Sequence, residues 1–360
     1  MTDPTSTFPE LGFYGLPGHT RAPRDVLAQV RDAEDLGIGN VMISERADYK
    51  EIAAICGACA AVTENIFIGT SGTNLNTRHP VITASMGSTL DALSEGRFAL
   101  GLAKGVAMRW QAWGLDFPTF EREAEFIDIM RRLWAGEPVA AHSGALGEFR
   151  GLNLAPYIDA DIPVLYVGFG PKSLNNAGKI YNGAHLHTFM SDRALSEAVA
   201  HFRAGETAAG KPHDGKLWSV FATGCDITDA QYLKMIVARL GTYLQIQGYG
   251  EALVNVNHWD MDTLHAFRSD AAVKAVGGVI DSVATLPQLE AIEKIIPEEW
   301  RPAAVGDAQT CAERWVDQFN AGADGIIIHA STPEEFAPVL EAYAKIRPAH
   351  LFEGRSNRPG

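Results

Sequence analysis

Apolar positions along the chain alternate between two patterns. Short continuous runs, suited to strands covered on both faces, are followed by stretches where apolar residues recur every three to four positions. "LGFYGL" (11–16) reads as a strand and "PRDVLAQVRDAEDLG" (23–37) as a helix closing on Gly37. "NVMISE" (40–45) is the next strand and "YKEIAAICGACAAV" (49–62) the next helix. "NIFIGT" leads into "PVITASMGSTLDALS" (80–94), a helix opened by Pro80. "RFALGLA" (97–103) precedes the long helix "TFEREAEFIDIMRRLWAG" (119–136), and "IPVLYVGF" (162–169) and "GAHLHTF" (183–189) continue the series. Near the end, residues 307–330 read as helix then strand, and "PEEFAPVLEAYAKI" (333–346) as a helix.

About eight such units without an open-sheet nucleotide fingerprint predict an α/β fold, a (β/α)8 TIM barrel, with a doubly wound open sheet as the second architecture. Two stretches break the rhythm. Residues 137–160 are rich in Gly and Pro and predict an excursion with a short hairpin. Residues 228–300 are largely helical, with no strand between "WSVFATGCDI" and "GIIIHA", and read as a helical insertion before the final barrel unit. No linker or repeat divides the chain, so one domain is expected over residues 1–360.

Composition narrows the function classes. A 46% hydrophobic content with mean hydropathy −0.04 belongs to a soluble protein with a large core. No apolar run reaches the roughly 18 residues a membrane span needs. "MTDPTSTFPE" lacks a basic segment followed by an apolar one, so no secretory signal is expected and the cytoplasm is the expected location. A net charge of −14 argues against nucleic-acid or anionic-membrane partners but leaves room for a small anion held by local donors. The expected partners are a small-molecule substrate and a second copy in a homodimer.

In a parallel barrel, chemistry sits at the C-terminal strand ends. Those positions hold Tyr14, Gly15 and His19; Ser44, Glu45 and Arg46; the stretch "GTSGTN" (69–74); Lys104 and Gly105; "GFGPKS" (168–173); His185 and His187; and His329. "GTSGTN" is stripped of bulk where a strand leaves the core, which suits either a turn or close approach of backbone to a ligand. "GFGPKSLNNAG" places two glycines after a buried strand, then Pro171 at an early helical position beside Lys172 and Ser173. Free N–H groups there suit a phosphate, although the spacing matches neither a P-loop nor G-x-G-x-x-G. His185 and His187 share one strand face, so both or neither point inward. "CGAC" (56–59) lies mid-helix and reads as packing, His79 as structural, and no metal-ligand spacing occurs. Tyr14, Trp110 and Trp113 are candidates for a pocket wall or for ordinary packing.

"GTSGTNLNTRHPVITASMGSTLDALSEGRFALGLAKG" (69–105), "GLDFPTFEREAEFIDIMRRLWAGEPV", "VGFGPKSLNNAGKIYNGAH" and "VGDAQTCAERWVDQFNAGADGIIIHA" together resemble the bacterial-luciferase-like superfamily of oxidoreductases. The resemblance covers most of the chain apart from 228–300, and is strongest to the deazaflavin-dependent group found in actinobacteria. It implies a barrel that binds coenzyme F420, or FMN, at the strand C-termini. It also implies a non-prolyl cis peptide behind the cofactor ring, at Ser71–Gly72, and a phosphate site at Gly168, Phe169, Gly170 and Pro171.

The family's acidic-residue–histidine pair after strand 2 is Glu45–Arg46 here, which removes the expected ring-adjacent proton donor. The glutamate that the sugar-phosphate dehydrogenases of the family carry after strand 4 is Val106, so their substrate and mechanism do not transfer. The resulting candidates are Glu45, Arg46 and His187 for catalysis. For the cofactor they are Ser71, Gly72, Thr73, Asn74, Lys104, Gly168, Phe169, Gly170, Pro171 and Lys172. The expected activity is hydride transfer between C5 of F420 and a small organic substrate. An FMN-dependent monooxygenase and a non-catalytic flavin-binding barrel are the alternatives.

Overall fold

The computed structural model describes residues 4–47 and 49–360. The start of "MTDPTSTFPE", and residue 48 within the domain expected over 1–360, lie outside the described residues. Eight strands are labelled here β1 (Phe8–Tyr14), β2 (Ile38–Ile43), β3 (Phe67–Thr70), β4 (Phe98–Ala103), β5 (Val164–Val167), β6 (Gly183–His185), β7 (Lys216–Cys225) and β8 (Gly325–His329). They pair in parallel in chain order, and β8 returns to β1, so the sheet closes into the expected TIM barrel. The helices following them are α1 (Val26–Asp35), α2 (Ile52–Ala60), α3 (Pro80–Leu93), α4 (Phe120–Trp134), α5 (Pro171–Ile180), α6 (Asp192–Ala208), α7 (Ala308–Asn320) and α8 (Pro333–Ile346). Strands such as β2 are buried at every position, as expected of a sheet covered on both faces. Among the described residues, no helix is long and apolar enough to cross a membrane.

An antiparallel hairpin (Val139–Gly144 with Gly147–Leu152) lies between α4 and β5. Short helices run from Asp229 to Glu293 between β7 and α7. A further strand, Ala304–Gly306, follows them and pairs with β7. No strand was expected in that region, because three residues are too few to establish a periodicity. β1 also begins earlier than its apolar run, at Phe8, because Pro9 and Glu10 interrupt the pattern without interrupting the strand. "CGAC" sits inside α2 with Cys56 and Cys59 fully buried, and burial pushes the Cys59 thiol up to about 12. His79 caps α3, its Nδ1 accepting from the Val81 N–H.

The crossing of β3 and β4 governs the site. The two strands pair at Ile68 with Phe98 and Gly69 with Ala99, then again at Thr73 with Leu102 and Asn74 with Ala103. Four residue steps on one strand therefore oppose three on the other, a one-residue bulge. Thr70 fills the gap: its hydroxyl donates to the Gly101 carbonyl at 2.8 Å and accepts the Gly101 N–H at 2.8 Å. A Cβ at Gly101 would lie 2.0 Å from the Thr70 carbonyl oxygen, so only glycine permits this approach. The following peptide, Ser71–Gly72, is cis, at the bond the family resemblance implied.

At the N-terminal end of the barrel, Glu10 is fully buried. It accepts from Arg347 Nε and Nη2, both at 2.7 Å, and from the Tyr343 hydroxyl at 2.9 Å. This two-pronged ion pair ties α8 to β1, the last barrel helix to the first strand. Replacing Arg347 with Ala strands a buried carboxylate, and we expect urea denaturation to show a loss of about 3 kcal/mol. The double variant Glu10→Leu/Arg347→Leu should recover most of it. A single-variant loss indistinguishable from zero would show that the pair does not clamp the barrel.

Candidate active site

A cavity of about 620 Å³ opens at the C-terminal end of the barrel. Every barrel strand or its exit contributes to the lining: Tyr14, Ser44, Ser71, Lys104, Val167, Leu186, Val220 and His329. The bulge explains Ser71. Its side chain points into the barrel, where Oγ lies 2.6 Å from the Tyr14 hydroxyl and 3.0 Å from His185 Nδ1.

Three imidazoles sit at or beneath the cavity. Burial pushes His185 and His329 down to about 3 and His187 to about 4, so all three are neutral at pH 7. For His329 the basic residues Arg239, Arg46 and Lys50 add to the effect. His185 Nε2 and His329 Nδ1 have no hydrogen-bond partner among the described residues. His187 is walled by aromatic rings: Phe169 at 4.6 Å, Tyr243 at 4.7 Å and Tyr249 at 5.4 Å between centroids. Burial also raises the Tyr14 phenol well above its ordinary value.

The helical insertion forms one wall. It brings Arg239, Tyr243 and Tyr249 to the cavity. Its Asp281 pairs with Arg239 at 2.6 Å and with His19 Nε2 at 3.2 Å, while His19 Nδ1 lies 3.0 Å from Arg46 Nη1. This chain latches the insertion to the loops after β1 and β2. Sequence reading missed Tyr243 and Tyr249, because aromatic residues at helical spacing look like core wherever they fall, and Arg239, because a basic residue on a helix looks like solvated surface.

Of the candidate residues, Arg46, Ser71, Lys104, Gly168, Phe169, Gly170 and His187 line the cavity together. Lys104 Nζ stands 3.8 Å above the Phe120 ring, and burial lowers its pKa. Glu45, Gly72, Thr73, Asn74, Pro171 and Lys172 are not in the lining. Glu45 turns away from the cavity to accept from Thr73 Oγ1 at 2.6 Å and Asn74 Nδ2 at 3.3 Å and to pair with Arg78 at 2.7 Å. Gly72 faces barrel neighbours rather than open space: an added Cβ would meet Val167 Cγ2 at 2.9 Å. Lys172 is exposed on the first turn of α5. Trp110 is buried, its indole donating to the Lys104 carbonyl at 2.7 Å, and Trp113 faces solvent.

Among the described lining residues four side chains are basic (Arg46, Lys50, Lys104 and Arg239) and none is a carboxylate, in a chain of net charge −14. The charged side chains of the lining are thus basic throughout, with Arg239 ion-paired to Asp281 behind it. The Gly168–Gly170 turn feeds α5, whose first residue, Pro171, has no N–H, and no side chain caps the helix. Gly170 has ordinary extended geometry (φ −71°), and an added Cβ would meet nothing closer than Ser173 Oγ at 3.9 Å. Neither backbone conformation nor packing accounts for a glycine there.

The protein-family model described as luciferase-like monooxygenase matches residues 8–325. The chain is 30% identical over 203 residues to a 5,10-methylenetetrahydromethanopterin reductase of Methanolobus tindarius, covering 56% of this chain and 61% of that protein. It is 32% identical over 200 residues to an F420-dependent glucose-6-phosphate dehydrogenase of Beutenbergia cavernae, covering 50% of this chain and 59% of that one. The match thus spans under two thirds of each curated relative. Among solved structures, a coenzyme F420-dependent tetrahydromethanopterin reductase from Methanopyrus kandleri superposes with a TM-score of 0.77. That superposition covers 96% of this chain and 99% of the other at 19% identity, a likeness of fold.

The buried histidines give stability a definite pH dependence. Their folded-state values lie below the unfolded value near 6.5, so the unfolded chain binds more protons between them. Their contribution is complete above pH 6.5 and declines as the pH falls toward 4. Each costs about 2 kcal/mol at pH 5 relative to pH 7.5. Urea denaturation at the two pH values should show His187→Phe reducing the acid loss by about that amount. An identical loss in the variant would exclude His187 as a contributor.

Proposed function

Because the chain belongs to the luciferase-like monooxygenase family, we propose that it is a coenzyme F420-dependent oxidoreductase that moves a hydride between the deazaflavin C5 and a small organic substrate. The observation that carries this reading is the basic lining of a cavity in an acidic protein, since F420 bears a phosphate and an acidic tail. The F420-dependent dehydrogenase named among the relatives supports it.

The residues present fit such a group. Gly168, Phe169 and Gly170 form the turn that would receive the phosphate, next to the free N–H groups of Lys172 and Ser173 at the start of α5. Pro171 sets the direction of that first turn. Lys104 at the cavity wall and Lys172 on the surface of α5 suit the acidic tail. Ser71 and Gly72 would back the ring, while Thr73 and Asn74 hold Glu45 in the wall behind it. Glu45 thus acts as a framework residue rather than an acid. Arg46, latched to His19, contributes charge, and neutral His187 offers either a lone pair or an N–H among aromatic rings.

Bound there, F420 supplies the redox chemistry, transferring a hydride at C5 while reacting poorly with oxygen. The barrel contributes position, a dry cavity and control of the accompanying proton. The family description favours one second reading, an FMN-dependent monooxygenase using the same phosphate turn.

Fluorescence titration with each cofactor separates the two. We expect F420 to bind at least tenfold more tightly than FMN; tight FMN binding with no F420 binding would reverse the assignment. Gly170→Val should weaken F420 binding at least tenfold. It should cost no more than about 1 kcal/mol of stability, because an added Cβ meets nothing closer than Ser173 Oγ at 3.9 Å and the position is a helix N-cap.

A further inference from the structure

The barrel floor holds a hydrogen-bond chain whose direction is decided at its buried end. The Tyr14 hydroxyl, Ser71 Oγ and His185 Nδ1 are linked at 2.6 and 3.0 Å. Tyr14 and Ser71 line the cavity, and His185 is fully buried beneath them. Each link can run either way. If Tyr14 donates to Ser71 and Ser71 to Nδ1, the imidazole proton sits on Nε2. If instead Nδ1 carries the proton, it donates to Ser71, Ser71 donates to Tyr14, and the Tyr14 proton is left for the cavity.

His185 Nε2 decides between them. It is buried and has no hydrogen-bond partner among the described residues. The imidazole and Trp218 rings lie 6.4 Å apart between centroids, a separation beyond that of an N–H seated on an aromatic face. A buried N–H without an acceptor is rarer in folded proteins than a buried acceptor short of a donor. Burial keeps the imidazole neutral, so one nitrogen alone carries a proton. The Nδ1–H form leaves only a lone pair unsatisfied, and it turns Tyr14 outward as a donor.

We propose that Tyr14 is the general acid of this site, held as a proton donor by the positioning residues Ser71 and His185, and that the substrate presents a carbonyl oxygen or imine nitrogen to it. This rests on the hydride-transfer reading above. In the reductive direction the substrate carbon gains a hydride, two electrons and one proton, from the reduced deazaflavin, which is thereby oxidised. The π pair of the C=O or C=N bond moves to the heteroatom, which forms its new bond to the Tyr14 proton. Tyr14 keeps the electron pair of its broken O–H bond. The Ser71 hydroxyl donates to that phenolate oxygen until a solvent proton restores it after product release. The donor lost where Arg46 replaces the family's histidine is thus supplied from β1, on the opposite side of β2 from β3.

The first measurement needs no cofactor. Two-bond 15N–1H correlation of 15N-histidine-labelled protein at pH 7.5, with His185→Phe assigning the signals, should show His185 protonated at Nδ1. Protonation at Nε2 would overturn the proposal, because Tyr14 would then donate inward. The second uses protein loaded with reduced F420 and a panel of small ketones and cyclic imines. Tyr14→Phe should keep the F420 Kd within twofold and slow single-turnover hydride transfer about 100-fold. An unchanged rate, or no panel member reacting with the wild type, would overturn it. Failure of the wild type to bind F420 would instead sink the oxidoreductase reading, with the His185 result still standing on its own.

Discussion

The hydrogen-bonded contact between Thr70 and Gly101 is the constraint on which the site depends. A closed barrel requires each strand to be hydrogen-bonded on both edges, and a bulge in β3 leaves Gly101, in register with Leu165 of β5, without a regular partner on its β3 edge. The Thr70 hydroxyl satisfies both Gly101 groups, so the ladder survives the extra residue. That residue turns Ser71 inward, and Ser71 in turn joins Tyr14 of β1 to His185 of β6 across the barrel. The glycines of "GTSGTN" follow from the same geometry: a Cβ at Gly72 would meet Val167 at 2.9 Å and the Gly101 carbonyl at 3.1 Å, and one at Gly69 would displace the end of the Met42 side chain.

Charge and polarity are divided by depth. The floor holds neutral imidazoles and a phenol that burial keeps protonated. Basic side chains lie beyond the strand ends, at Arg46 and Lys104, or come from the insertion, at Arg239, while Lys50 is buried and donates to the Leu16 carbonyl. An anion entering this cavity meets cations at its walls, while the deepest polar groups exchange hydrogen bonds without carrying net charge. Neutral donors at the bottom of a site act on a developing charge without having competed with the ligand for the cations around it.

The fold was legible because strands buried on both faces leave continuous apolar runs, and helices on a barrel leave a periodic stripe. What escaped was local. Glu10 hid the beginning of β1 because its ion pair with Arg347 is made by a residue more than three hundred positions away. The candidate site was legible where glycines follow a strand, as at Gly168 and Gly170, and where a basic residue ends one, as at Lys104. A linear pattern does not tell adjacent residues apart where they part company. Glu45 and Arg46 are neighbours in the chain, yet one joins the Thr73–Asn74–Arg78 network and the other faces the cavity. Nothing in a linear pattern distinguishes Tyr243, which walls the cavity, from any other aromatic on an amphipathic helix. From the sequence Tyr14 reads as a pocket wall or as ordinary packing. Its acid role depends on which nitrogen of a histidine 171 positions away holds a proton.

The insertion touches the cavity through Arg239, Tyr243 and Tyr249, and is tied to the barrel loops through Asp281 and His19. None of the residues in the Tyr14–Ser71–His185 chain belongs to it. Roof and floor are therefore built from different stretches of chain, and they meet where Tyr243 bears on the Tyr14 phenol and Arg239 on the His329 imidazole. A substitution in the insertion thus reaches the floor as a change of field, without breaking a hydrogen bond of the Tyr14–Ser71–His185 chain.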